Sequence, residues 1–149
     1  MSSLFAFLHH VAAFTLLAAL AVEFTLTKEA LTASIARKLL TADMIFGASA
    51  GAVLIIGLLR VFLFEKGAAF YFTNIPFLIK LVLFAVIGIL SIRPTKEFLS
   101  WRPTLKSGQT PSLTGQSLRQ LHGIIKMELI AAVALIFCAA LMARGVGSL

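Results

Sequence analysis

Four long apolar stretches dominate this sequence, and each is long enough to cross a lipid bilayer. A hydrocarbon core about 30 Å thick takes about 20 mostly apolar residues as a helix. The stretches run over about 4–26, 41–64, 76–92 and 121–143. In hydrocarbon, backbone N–H and C=O groups must be satisfied within the protein, so a lone apolar span of this length folds as a helix. The expected fold is all-α: an integral membrane four-helix bundle with up-down-up-down topology, residues 1–149 forming one transmembrane domain. Composition excludes the alternatives. Charged residues are 13% of the chain and hydrophobic ones 60%, whereas ordinary soluble domains carry about 25% charged residues. A disordered chain needs the opposite balance, low hydrophobicity and high charge.

Ala19-Leu20-Ala21 in the first span resembles the small-residue site of a cleaved signal peptide. The residues before the apolar run carry no Lys or Arg, which a signal n-region requires, so the segment is read as a true span. Pro76 suits the first turn of the third helix, and Gly145 stops the fourth. Residues 28–40 form a short charged linker able to continue helically outside the membrane. Residues 65–75 form a tight return with Gly67 and the aromatic cluster Phe70-Tyr71-Phe72, which suits the headgroup zone. Residues 93–120, rich in Ser, Thr, Gly and Pro, are expected to be the long flexible loop.

The formal net charge is +7, from 13 Lys+Arg against 6 Asp+Glu. In a soluble protein that surplus would suggest nucleic acid. Here it follows topology. An even number of spans puts both termini on one side. The opposite side receives Lys28, Arg37, Lys38, Arg93, Lys96, Arg102, Lys106, Arg119 and Lys126, nine of the thirteen. The positive-inside rule places that side in the cytoplasm. The expected location is the bacterial inner membrane, with both termini periplasmic. The bilayer is the expected partner and nucleic acid is not.

Ionisable residues inside a span are costly and rare, so each is a functional candidate. Alternating helix direction sorts them into two layers. The outer layer, near the termini, contains His9, His10, Arg60 and Lys80, with Met142 and Arg144 close by. The inner layer contains Glu23, Asp43, His122, Lys126 and Glu128. At 100° per residue, His9, Ala13, Leu16, Leu20 and Glu23 share one stripe of the first helix, while His10 points about 100° away. A carboxylate faces the bundle, so His9 ranks before His10 as a ligand. A neutral imidazole in an apolar bundle is a good axial ligand for haem iron, and Lys80 and Arg60 suit its anionic propionates. His122 lies roughly 20 Å from His9 in depth, so both cannot bind one iron. A second ligand must come from His10, Lys80, Met142 or water. Glu128 is expected to pair with Lys126, Arg37 or Lys38, or to shuttle protons with Glu23. Asp43 fits an acid in the first turn of the second helix. Gly47 and Gly51 form a small-xxx-small pair suited to helix packing. The single cysteine, Cys138, sits in an apolar run. The sequence holds no CxxC, no HExxH, no dinucleotide fingerprint and no phosphate loop.

Leu8-His9-His10, Phe77-Leu78-Ile79-Lys80-Leu81-Val82-Leu83-Phe84 and Lys126-Met127-Glu128 together resemble the small four-helix bacterial membrane proteins of the HemJ and CopD group. Gly57-Leu58-Leu59-Arg60-Val61-Phe62 and Phe64-Glu65-Lys66-Gly67 bring the chain closest to an uncharacterised branch of predicted membrane proteins of about this length. The resemblance implies haem b, a His in the first helix (His9 or His10) and a Lys in the third (Lys80). Where HemJ proteins open the fourth helix with Asn-Glu-x-Pro, Met127-Glu128 keeps the acid and lacks the Asn and Pro.

The leading expectation is a membrane haem-b redox protein exchanging electrons with a quinone or tetrapyrrole. Its cofactor site would be His9, His10, Arg60 and Lys80, with His9 or His10 on the metal and Lys80 and Glu128 as the catalytic pair. Two alternatives stay open: a non-enzymatic accessory subunit of a larger membrane complex, and a copper-handling protein using His9, His10 and Met142. A homo-oligomer is compatible with each.

Overall fold

A computed structural model describes residues 2–64 and 67–147. Glu65 and Lys66, part of the expected return and of the Phe64-Glu65-Lys66-Gly67 phrase, lie outside the described residues. Six α-helices follow in order: α1 (Ser2–Leu26), α2 (Ala33–Leu59), α3 (Ala68–Phe72), α4 (Ile75–Ser100), α5 (Arg102–Lys106) and α6 (Gly115–Ala143). A single π-helical turn, Arg60–Phe64, continues α2. Among the described residues there is no β-strand.

Four helices, α1, α2, α4 and α6, are long and apolar enough to span a membrane. Their most apolar windows are only 22, 17, 17 and 28% buried. Such windows would collapse in water, so the large outward side chains (Phe7, Phe14, Ile55, Val82, Ile89, Phe137) face lipid. The chain is therefore an all-α membrane bundle. α1 packs mainly on α2 and α4 on α6; α1 also meets α6, while α2 and α4 touch only sparsely. That sparse seam leaves a cleft.

Helix ends depart from the hydropathy pattern. α2 starts at Ala33, where Thr32 accepts a hydrogen bond from Ile35 N at 3.2 Å as an N-cap. α4 runs past Arg93 and through Pro94 to Ser100, although Pro94 removes the N–H that Leu90 C=O would accept. α6 starts at Gly115, with Thr114 Oγ1 accepting from Ser117 N. Most of the expected 93–120 loop is thus helical, and only residues 107–114 connect α5 to α6 without helix. The reason is a second core. Ala36 and Leu39 of α2 are fully buried with Phe98, Trp101, Leu105, Leu121 and Ile125. Each extension looks polar in isolation, because Arg37, Lys38, Arg102 and Lys106 face outward. Together they bury one apolar stripe each.

Three further features position the site. The mid-bundle core is Leu16, Ala19, Leu20, Phe46, Ile87, Ala131 and Ala132. At the end holding the termini, Val61, Tyr71 and Phe77 form a third cluster with Leu81 and Met142 packed on it. After α6 the chain folds back, and Ile75 N donates to Gly147 O at 3.1 Å. Gly147 has φ +81, and a Cβ there would meet Pro76 Cδ at 2.7 Å, so only glycine fits.

Candidate functional site

His9, half-buried, sits on the stripe of α1 that continues through the buried Leu16, Leu20 and Glu23. Its ring lines a cavity of about 110 Å³. Four of the spanning helices contribute to that cavity: His9 from α1, Val53 and Gly57 from α2, Lys80 and Phe84 from α4, Leu135 and Met142 from α6. Arg60, in the π-helical turn, and Tyr71, in α3, close its outer end. Interrupting an α-helix by a π turn is uncommon and recurs at functional sites. Here it carries Arg60 to the cavity wall.

Gly57 is the complement of His9. A Cβ built on Gly57 would lie 3.3 Å from His9 Cε1 and 3.7 Å from Nδ1. The imidazole therefore rests against bare backbone. Lys80 Nζ stands 5.4 Å from the centroid of the Phe77 ring, within cation–π range. Phe77 in turn meets Tyr71, with centroids 5.1 Å apart. Asn74 caps α4 by accepting from Phe77 N at 3.0 Å, which fixes the turn from which Lys80 projects.

His10 takes another direction. It is exposed, its Nδ1–H donates to Ala6 O at 2.6 Å, and its ring stands edge-on to that of His9 with centroids 6.3 Å apart. His10 is not among the residues lining the cavity. Among the described residues, no three His, Cys, Asp or Glu side chains converge as a metal site.

The inner layer is separate. Glu23 and Glu128 are each 1% exposed and Asp43 is 4% exposed. Thr95 Oγ1 donates to Asp43 Oδ1 at 2.8 Å. Because α2 starts at Ala33, Asp43 lies well inside the helix rather than in its first turn. Glu128 makes no hydrogen bond or ion pair with a described residue; Lys126, Arg37 and Lys38, its expected partners, are exposed. His122 stacks on Phe24 at 4.7 Å and lies 2.9 Å, Nδ1 to Oγ1, from Thr27. Between the layers lies the mid-bundle core. His9 and Glu23 are fourteen residues apart on one helix, a rise of about 21 Å. Glu128 is therefore nowhere near Lys80.

Beside the outer cavity, the α2–α4 seam opens into a cleft of about 450 Å³. Phe84 forms a wall of both spaces. Gly47, Ala50, Gly88 and Ser91 line the cleft, and Asp43 and Thr95 stand at its inner end.

Sequence reasoning missed Gly57, Tyr71 and Thr95. Tyr71 is the only tyrosine and was assigned to headgroups with its neighbours. Alternation within the triplet carried a signal, since Phe72 is exposed while Tyr71 is buried. Gly57 carried none, because a contact across two helices leaves no periodic trace.

Four spanning helices around buried polar layers define a multi-pass α-helical membrane protein. A family model described as a predicted membrane protein, DUF2214, matches residues 1–147, and the chain belongs to this family. No curated protein and no solved structure matches it.

Proposed function

We propose that the protein is a haem-b-binding redox protein of the bacterial inner membrane that exchanges electrons with a quinone or tetrapyrrole, and that the outer cavity is its site. One observation carries this reading: His9, Arg60, Lys80 and Met142, with Tyr71 at the outer end, surround a single cavity whose remaining side chains are apolar. The donor set suits the group. An imidazole ligates haem iron and a thioether is an accepted second ligand. Two cations match two propionates. By volume the cavity alone holds on the order of ten water molecules, less than a tetrapyrrole needs. A tetrapyrrole would need the cleft beside it as well, with Phe84, the wall between the two spaces, turned aside. Resemblance to the HemJ and CopD group supports the same His and Lys, His9 and Lys80.

Haem b, when bound, supplies one-electron chemistry. The chain's own residues do the rest. His9, backed by Gly57, holds the iron. Arg60 and Lys80 hold the anionic edge, and Lys80 is the group at the cavity wall able to hold or pass a proton. Phe77, Phe84 and Leu135 keep water out. Glu128 has no part at this cavity.

The test is a dithionite-reduced minus oxidised spectrum of protein purified from haem-supplied cells. A haem b α-band is expected, lost in His9→Ala and kept in His10→Ala. A colourless preparation overturns the proposal. For orientation, nine of thirteen basic residues fall on the side away from the termini, which supports periplasmic termini. A reporter fused after Leu149, a residue outside those described, is expected to report the periplasm, and a cytoplasmic signal refutes this orientation.

A further inference from the structure

We propose that the start of α6 and the end of α1 form a binding site for the headgroup of an anionic phospholipid, at the end of the bundle away from the termini and independent of the outer cavity. Arg119, His122 and Lys126 are spaced i, i+3 and i+7 on α6, which puts them within about 60° of one another around the helix. Arg119 and Lys126 are exposed and His122 is half-buried. Lys28, just beyond α1 and also exposed, adds a third cation.

A series of contacts holds Lys28 to this face of α6. Buried Thr27 donates from Oγ1 to the backbone, to Glu23 O at 2.9 Å and Phe24 O at 3.0 Å. Its one hydroxyl proton is thus used, so in the 2.9 Å contact with His122 the ring donates from Nδ1. His122, fixed in this way, stacks on Phe24 with centroids 4.7 Å apart. Lys28 Nζ lies 4.4 Å from the centroid of the same Phe24 ring, within cation–π range. One phenyl ring therefore carries both the ammonium and the imidazole, and a lysine that would otherwise swing beyond a helix end is tied to the stripe of Arg119 and Lys126.

The neighbouring acids do not neutralise this cluster. Glu128 is buried and stands about 180° around α6 from Arg119. Glu29 follows Lys28 in the chain, but the Lys28 ammonium is turned over the Phe24 ring. Arg93 of α4 is committed to Gln120, donating at 2.6 Å. The occupant is a lipid rather than a free anion because the same stripe continues along α6. Ile130, Val133 and Phe137, all exposed, lie within about 40° of Arg119 around the helix. Cations followed by outward apolar side chains repeat the order of a phospholipid, with phosphate at the membrane surface and acyl chain beneath it. Basic residues at that level attract anionic lipid.

Native mass spectrometry of the full chain in detergent tests this, comparing phosphatidylglycerol with phosphatidylcholine of the same acyl chains. Phosphatidylglycerol is expected to bind tighter by on the order of tenfold or more, since each cation near a membrane surface adds several-fold to the attraction for anionic lipid. Combining Lys28→Gln, Arg119→Gln and Lys126→Gln removes that preference. Combining Lys38→Gln, Lys96→Gln and Lys106→Gln, an equal charge change at exposed positions of the same end, keeps it, with circular dichroism confirming both folds. His122→Ala, which releases Phe24 and Lys28, lowers the preference several-fold, and His122→Phe, which keeps the ring stack, restores most of it. Equal affinity for the two lipids overturns the proposal. So does a preference that both triple variants lose alike, or one that His122→Ala leaves unaltered. Inorganic phosphate is expected not to displace the lipid; displacement at equal concentration marks a soluble-anion site and overturns the lipid assignment. A missing haem spectrum has no bearing on these outcomes.

Discussion

Replacing Gly57 by alanine moves His9 without touching it. The added Cβ falls 3.3 Å from His9 Cε1, closer than side-chain carbons normally approach, so the ring must give by a few tenths of an ångström. Two effects oppose each other. Removing a glycine from a helix interior stabilises it by about 0.5–1 kcal/mol. Forcing a methyl into a packed contact costs about 1–3 kcal/mol. Gly51→Ala carries the first effect alone, because it lies on the same helix with nothing within 4 Å of its Cβ, so the difference between the two variants isolates the second. Gly57→Ala is therefore expected to be less stable than Gly51→Ala by about 1–3 kcal/mol, measured by unfolding in detergent. In the reduced-minus-oxidised spectrum, Gly57→Ala should also weaken or shift the haem band while Gly51→Ala leaves it intact. If the two variants coincide in both assays, His9 does not rest against Gly57 and the cavity is misassigned.

Two further substitutions probe the framework. Trp101 is 3% exposed and packs on Phe98 with centroids 5.1 Å apart, so Trp101→Ala is expected to cost about 3–5 kcal/mol; a thermal-unfolding change within about 0.5 kcal/mol, the usual size for a surface residue, refutes the docking of α5. Thr95→Val deletes the donor to buried Asp43 Oδ1 and is expected to cost about 1–3 kcal/mol, with Thr95→Ser near wild type in the same unfolding assay. Equal stability of Thr95→Val and wild type refutes that hydrogen bond.

The spans were legible because hydropathy dominates any 20-residue window in lipid. Their ends were not, and Asp43 shows why. Hydropathy begins the second span near residue 41, which makes Asp43 a first-turn acid; the helix begins at Ala33, because Ala36 and Leu39 find an apolar partner in Phe98, Trp101 and Leu105. That partner segment is itself charged and Pro-containing, so neither half signals burial until both are folded. Depth was more readable than direction. Antiparallel alternation alone set His9, Arg60 and Lys80 at one level, and the His9-to-Glu23 stripe placed both residues inward. Periodicity along one helix says nothing about which residue of a neighbour lies opposite, which is why Gly57 and Thr95 went unseen.

The same geometry decides how the two polar layers relate. Shared sidedness on α1 suggests a relay from Glu23 and Glu128 to the His9 cavity. Proton transfer needs groups within hydrogen-bond reach or joined by one water. About 21 Å of α1 separates the ends of that stripe, and it is filled by Leu16, Ala19 and Leu20 against Phe46 and Ile87. Sites that share no contacts at such a distance respond additively to mutation. His9→Ala combined with Glu128→Gln should therefore change stability by the sum of the single changes, and coupling beyond about 0.5 kcal/mol would mean that the apolar layer is breached.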